Sequence, residues 1–181
     1  MFYTAVIVTA NLVIASVCAL CGNDFWLCLG NSILATVAVI AYDGITAFVI
    51  RRLPESWFTY DKKAFSVSRK EKKLYTKLGI KKITHLVPEL GIFTGFHKDK
   101  LQSNNDISYL GRFIMESNYG VVIHLVNAFG GFVIAALPFC GGAKIWAPVY
   151  AVNFILSMLP VFILRNNNYS LLNLFKRANK S

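Results

Sequence analysis

Acidic residues are scarce in this chain of 181 residues: nine Asp and Glu stand against nineteen Lys and Arg. No basic side chain precedes Arg51, so the first apolar block lacks the basic n-region of a cleaved leader and reads as a permanent span. Histidine numbers three, with no Cys or acid at ligand spacing, which makes a poor zinc site. A Gly-rich phosphate loop and internal repeats are also missing. Disorder is excluded by the 14% aromatic content. A pI near 9.6 usually points to nucleic acid, but the arrangement of the basic residues gives a membrane reason for it and no nucleic-acid partner is expected.

Hydrophobic residues make up 55% of the chain, and mean hydropathy is +0.50. They fall into four blocks, at about 2–20, 25–50, 114–140 and 145–164. A helix needs about 20 mainly apolar residues to cross the hydrocarbon core, and helices close their own backbone hydrogen bonds in lipid. The fold class expected is therefore all-α and integral to the membrane, a single domain over 1–181. Its four transmembrane helices form two hairpins joined at Cys21–Asp24 and Gly141–Lys144.

Fourteen of the nineteen basic residues lie between Arg51 and Arg112, and four more in the tail from Arg165. Loops rich in Lys and Arg stay inside, so 51–113, the tail 165–181 and both termini are placed in the cytoplasm of a multi-pass cell-membrane protein. The cysteines Cys18, Cys21, Cys28 and Cys140 fall at or near the outer ends of the spans. The C-x-x-C of Cys18 and Cys21 fits a redox pair, a disulfide in an oxidising compartment, or small apolar residues in lipid.

Within the basic segment, Ser68-Arg69-Lys70-Glu71 has the spacing of a capping box and Gly79 offers a stop, predicting a helix over 69–78. Leu74, Tyr75 and Leu78 share one face, while Arg69, Lys70, Lys72, Lys73 and Lys77 cover much of the rest. Such a helix suits a membrane surface with anionic headgroups, although the lysines also serve topology alone. Pro88, Gly91 and Gly95 then break the chain among apolar residues, as in an interfacial or re-entrant loop. Ser103, Asn104 or Asn105 is positioned to cap a helix beginning near Asp106.

Asp43, Glu116 and His124 lie inside the apolar blocks, where a charge costs roughly 2.5–3.5 kcal/mol on insertion scales. By helical rise Asp43 sits about 10 Å from the inner boundary and His124 roughly 15 Å, levels at which they can meet across the bundle. Glu116 and His124, eight residues apart, can line one groove, extended by Asn127 and faced by Asn153. A histidine with a carboxylate partner suits general-base work on a hydroxyl. A polar network tying the spans together accounts for the same residues equally well.

A family pattern is carried by Leu53-Pro54-x-x-Trp57-Phe58, Glu71-x-x-Leu74-Tyr75-x-x-Leu78-Gly79-Ile80-Lys81-Lys82, Val87-Pro88-Glu89 and Lys100-Leu101. It continues in Tyr109-Leu110-x-Arg112-Phe113-x-x-Glu116, His124, a proline in the fourth block, and Arg165-x-Asn167. In this order, over about 45–177, the motifs resemble the glycosyl-4,4'-diaponeurosporenoate acyltransferase family of carotenoid glycolipid biosynthesis. The resemblance implies transfer of a fatty acyl group onto a sugar hydroxyl, with Glu116 and His124 at the family's Glu-to-His motif. It implies substrate contacts at Arg165 and Asn167, and matches Glu71 and Glu89 to family acids. Ile83 and His85 replace the family's Trp and Asp, Val121 replaces an acid three before the histidine, and Leu164 and Asn166 replace Gln and Tyr.

The leading expectation is an acyltransferase at the cytoplasmic face, with no bound cofactor and an acyl-CoA or acyl-carrier donor. His124 is the base, assisted by Asp43 or Glu116. Arg112 or Arg165 meets donor phosphate or the oxyanion, and basic residues such as Lys70 meet the donor. The competing expectation is a non-catalytic four-span protein, an accessory or lipid-binding subunit whose partners are membrane lipids.

Overall fold

A computed structural model describes residues 2–84, 106–135 and 143–179. Every regular element among them is helical. The order is α1 (Phe2–Leu20), α2 (Phe25–Ile50), α3 (Arg69–Lys77), α4 (Ile80–Ile83), α5 (Ile107–Ala135) and α6 (Ala143–Ala178), with 3-10 turns at Glu55–Trp57 and Lys63–Phe65. Among the described residues three helices are long and apolar enough to cross a membrane: Phe2–Leu20, Phe25–Ile50 and Lys144–Ala178. The chain divides into two compact units. One comprises Met1–Ile50 and Ile123–Met158, the other Arg51–Val122 and Leu159–Ser181.

In the first unit, α1 buries Asn11, Ile14, Ala15 and Cys18, a stripe at helical spacing. Against it α2 buries Cys28, Ser32, Ala35 and Val39, with Ile145, Trp146 and Val149 of α6 completing the cluster. The turn between α1 and α2 uses Gly22 at φ 86°, a conformation that costs glycine little, and Asp24 Oδ1 accepts from the Leu27 amide at 2.7 Å. Polar clasps tie the helices. Asn11 Oδ1 accepts from Ser32 Oγ at 2.6 Å and Thr36 Oγ1 at 3.2 Å, so these polar groups are satisfied inside an apolar interface. Pro160 cannot donate to the carbonyl four residues back, and that carbonyl, Leu156 O, instead accepts from the Tyr3 hydroxyl at 3.2 Å. The outward faces stay apolar: Val8, Leu12, Val13 and Val17 of α1, and Ile33, Leu34, Val37, Ile40 and Phe48 of α2, are all exposed.

The second unit has a different chemistry. Leu110, Phe113 and Ile114 of α5 pack with Leu171 and Phe175 of α6, while Tyr75, Ile80 and Ile163 form a second cluster under α3 and α4. Phe58 stacks on Tyr119 with centroids 3.8 Å apart, and the Tyr119 hydroxyl donates to Leu53 O at 2.9 Å. The chain leaving α2 is thereby fastened to α5.

Several expectations change in detail. The helix that carries the fourth block runs beyond it: α6 continues to Ala178, about 54 Å of helix at the usual rise, so the tail is helical from Arg165 to Ala178. At the start of α5 the cap is Asp106 itself, whose Oδ1 accepts from the Ser108 and Tyr109 amides at 2.9 and 3.1 Å. The predicted caps Ser103, Asn104 and Asn105 lie outside the described residues, as do the Pro88–Gly95 loop, Glu89 and Cys140. The 69–78 helix forms with Ser68 Oγ accepting from the Glu71 amide at 3.1 Å and with Gly79 at φ 67° behind it.

Candidate functional site

The second unit is organised by residues that an apolar core excludes. Glu71 of α3 and Arg165 of α6 form a two-pronged ion pair, Nε to Oε1 at 2.6 Å and Nη2 to Oε2 at 3.0 Å. The remaining donors of Arg165 reach Ser66 O at 3.2 Å and Ala64 O at 3.3 Å. Tyr75, one turn after Glu71, donates its hydroxyl to the same carboxylate at 2.5 Å. The Arg165 guanidinium is the largest cause holding Glu71 below the usual carboxylate range, with Tyr75 and the Ser68 amide assisting against partial burial. Burial, and then the Glu71 charge, push the Tyr75 hydroxyl up to about 12. Next to this pair Lys72 donates to Asn166 Oδ1 at 2.7 Å and Asn166 O at 3.0 Å.

A second set of polar groups joins α5 and α6. Asn118 is fully buried; its Nδ2 donates to Phe58 O at 2.8 Å, and its Oδ1 accepts from Asn168 Nδ2 at 2.8 Å. One turn from Tyr119, Glu116 accepts from Arg51 Nη1 at 3.1 Å, and the Arg51 guanidinium lies 5.9 Å from the Tyr119 ring centre. The buried Ser117 Oγ and Asn168 Oδ1 have no hydrogen-bond partner, so the seam keeps some unused polar capacity.

The predicted site residues therefore fall into two sets. Glu116, Arg112, Arg165, Asn167 and Lys70 belong to the second unit; Asp43 and His124 belong to the first. Arg165 has four hydrogen bonds to protein. Glu116 has Arg51 as its ion-pair partner. Arg112, Asn167 and Lys70 are exposed. In the first unit Asp43 is half-buried on α2, and its Oδ1 is enclosed without a hydrogen-bond partner. His124 is half-buried on α5. Asn153 Nδ2 donates to Asn127 O at 3.3 Å, so the two asparagines read as neighbours from sequence do meet. Among the described residues no cluster of His, Cys, Asp and Glu is arranged to hold a metal ion.

Sequence reasoning missed Arg51, Asn118, Asn168 and Ser117. The run Glu116-Ser117-Asn118, followed fifty residues later by Asn166-Asn167-Asn168, was the available signal: two polar triplets inside helices must find each other or water.

Residues 54–177 match the model of the glycosyl-4,4'-diaponeurosporenoate acyltransferase family. No curated protein and no solved structure matches the chain.

Proposed function

The chain belongs to the glycosyl-4,4'-diaponeurosporenoate acyltransferase family, and from that premise we propose a membrane-bound enzyme that moves a fatty acyl group onto a hydroxyl of a glycolipid or related lipid at the cytoplasmic face. The observation that carries this reading is the extent of the match, 54–177, which takes in Arg112, Glu116, His124 and Asn167 together. Membrane residence is supported by the three long apolar helices and their exposed aliphatic faces. In this reading α5, which carries the third block, also crosses the membrane, its polar side chains within the bilayer facing protein rather than lipid. The basic run from Arg51 to Arg112 holds its segment inside.

The chemistry assigned is ester formation from a thioester donor, acyl-CoA or an acyl carrier. His124 accepts the proton of the acceptor hydroxyl as that oxygen attacks the acyl carbonyl. The tetrahedral oxyanion collapses, the carbon–sulfur bond breaks, and the leaving thiolate takes the proton back from His124. The products are the acylated lipid and the free thiol. Asp43 is assigned to orient the imidazole and balance its charge, because Glu116 already has Arg51 while Asp43 keeps an oxygen unbonded and shares a unit with His124. Arg112 and Asn167, exposed on α5 and α6, are assigned to donor phosphate or the oxyanion. Arg165 is a positioning residue.

The test is lipid mass spectrometry of cells making the wild-type chain, His124→Ala or Glu116→Ala at equal levels. The reading expects a lipid heavier by one acyl chain that vanishes in the His124 variant and falls in the Glu116 variant. Identical profiles in all three leave the chain a non-catalytic membrane subunit.

A further inference from the structure

The outward face of α3 is chemically unlike its inward face. Glu71, Lys72 and Tyr75 point into the second unit, where Arg165, Asn166 and the Phe162 ring receive them. On the opposite side lie Lys70, Lys73, Leu74, Lys77 and Leu78, all exposed. At 100° per residue they occupy one continuous sector of about 140°. Leu74 and Leu78 are 52% and 55% exposed, one turn apart along one edge of that sector, with Lys70, Lys77 and Lys73 beside them. No salt bridge involves Lys70, Lys73 or Lys77 among the described residues. The one acid of the helix, Glu71, is turned inward to Arg165. Lys81 and Lys82 of α4 are exposed as well.

We infer that this face of α3 docks on an anionic lipid surface, with Leu74 and Leu78 entering the headgroup–acyl boundary and Lys70, Lys73 and Lys77 meeting lipid phosphates. Charge complementarity selects the partner. Three unpaired cations call for anions, and the two leucines alongside them call for an apolar layer adjoining those anions. A bilayer offers both at one depth, whereas a nucleic acid offers only the first. Lysine suits the geometry because its four-carbon stem lies along apolar surface while its ammonium reaches up to phosphate. The face is rigid rather than adaptive, since Glu71, Lys72 and Tyr75 fix the rotation of the helix. The inference rests on the membrane residence of the chain and is independent of acyl transfer; Lys70, expected from sequence to meet an acyl donor, is assigned here to lipid.

Lysine acetylation footprinting of the full-length wild-type chain tests it, in nanodiscs of phosphatidylcholine and of phosphatidylglycerol, with exposed Lys62 and Lys63 as internal references. Each lysine at an anionic surface gains enough to shift its docked ratio about fivefold. The expected result is therefore acetylation of Lys70, Lys73 and Lys77 about fivefold slower in phosphatidylglycerol, relative to the reference lysines. Leu74→Asn with Leu78→Asn, both at exposed positions, abolishes that protection. Equal relative rates in the two lipids, or protection unchanged by the leucine substitutions, overturns the docking. Failure of the chain to enter either nanodisc would instead count against membrane residence, so the two failures are distinguishable.

Discussion

Arg165 and Glu71, separated by 94 positions, are joined by two charge-assisted hydrogen bonds of 2.6 and 3.0 Å. The pair welds α3, the first helix of the basic segment, to α6 at the point where the apolar part of α6 ends. Its side chains are only 19% and 24% exposed, so losing either partner strands a poorly hydrated charge. Arg165→Ala and Glu71→Gln should each lower stability by about 2–3 kcal/mol, and the double variant by clearly less than their sum. Thermal unfolding in detergent, read as a double-mutant cycle, checks this.

The same pair makes stability depend on pH. The folded state holds the Glu71 carboxyl below its ordinary value, so the unfolded chain takes up this proton first as pH falls. The contribution is fully present above the usual carboxylate range and is lost as pH drops through the lowered folded value. Melting temperature should therefore fall on acidification more steeply for the wild-type chain than for Glu71→Gln. Parallel slopes would contradict the assignment.

The seam between α5 and α6 predicts a second set of losses. Asn168→Leu removes the donor to Asn118 Oδ1 and leaves a buried oxygen bare, at a cost of about 1–3 kcal/mol. Asn167, its exposed neighbour, should tolerate Leu with a change within about 0.5 kcal/mol. Comparing the two melting temperatures separates a buried bond from general polarity of the run.

Close approach inside the first unit sets a steric limit. A Cβ on Gly130 would stand 1.6 Å from the Tyr42 hydroxyl oxygen and 2.5 Å from its Cζ, so Gly130→Ala should unseat the ring and destabilise the chain. Tyr42→Phe removes only the first contact and should rescue little; Tyr42→Ala relieves both and should rescue more. Melting temperatures of the two double variants provide the check.

Which parts of this were legible follows from how local each signal is. Helices over 2–20 and 25–50 could be read because apolar runs, bounded by Asp24 and Arg51, are complete in themselves, and α1 and α2 keep those bounds. The 69–78 helix was legible because its cap and its stop, Ser68 and Gly79, lie within twelve residues. The course of α6 was not. Arg165-Asn166-Asn167-Asn168 reads as a polar tail until Glu71, Lys72 and Asn118 are brought up to receive three of the four side chains, and those partners lie 50 to 94 residues away. Glu116 was singled out as an acid inside an apolar block, but its partner Arg51 lies 65 positions earlier, beyond any spacing argument.

Acyl transfer is tested most directly by feeding cells a deuterated fatty acid and following the label by mass spectrometry, with wild-type chain and His124→Ala at equal membrane levels. Deuterated acyl ester should accumulate on a glycolipid or related hydroxyl lipid with the wild-type chain and remain at background with His124→Ala. Label entering that lipid at the same rate in both, or in neither, would contradict the account.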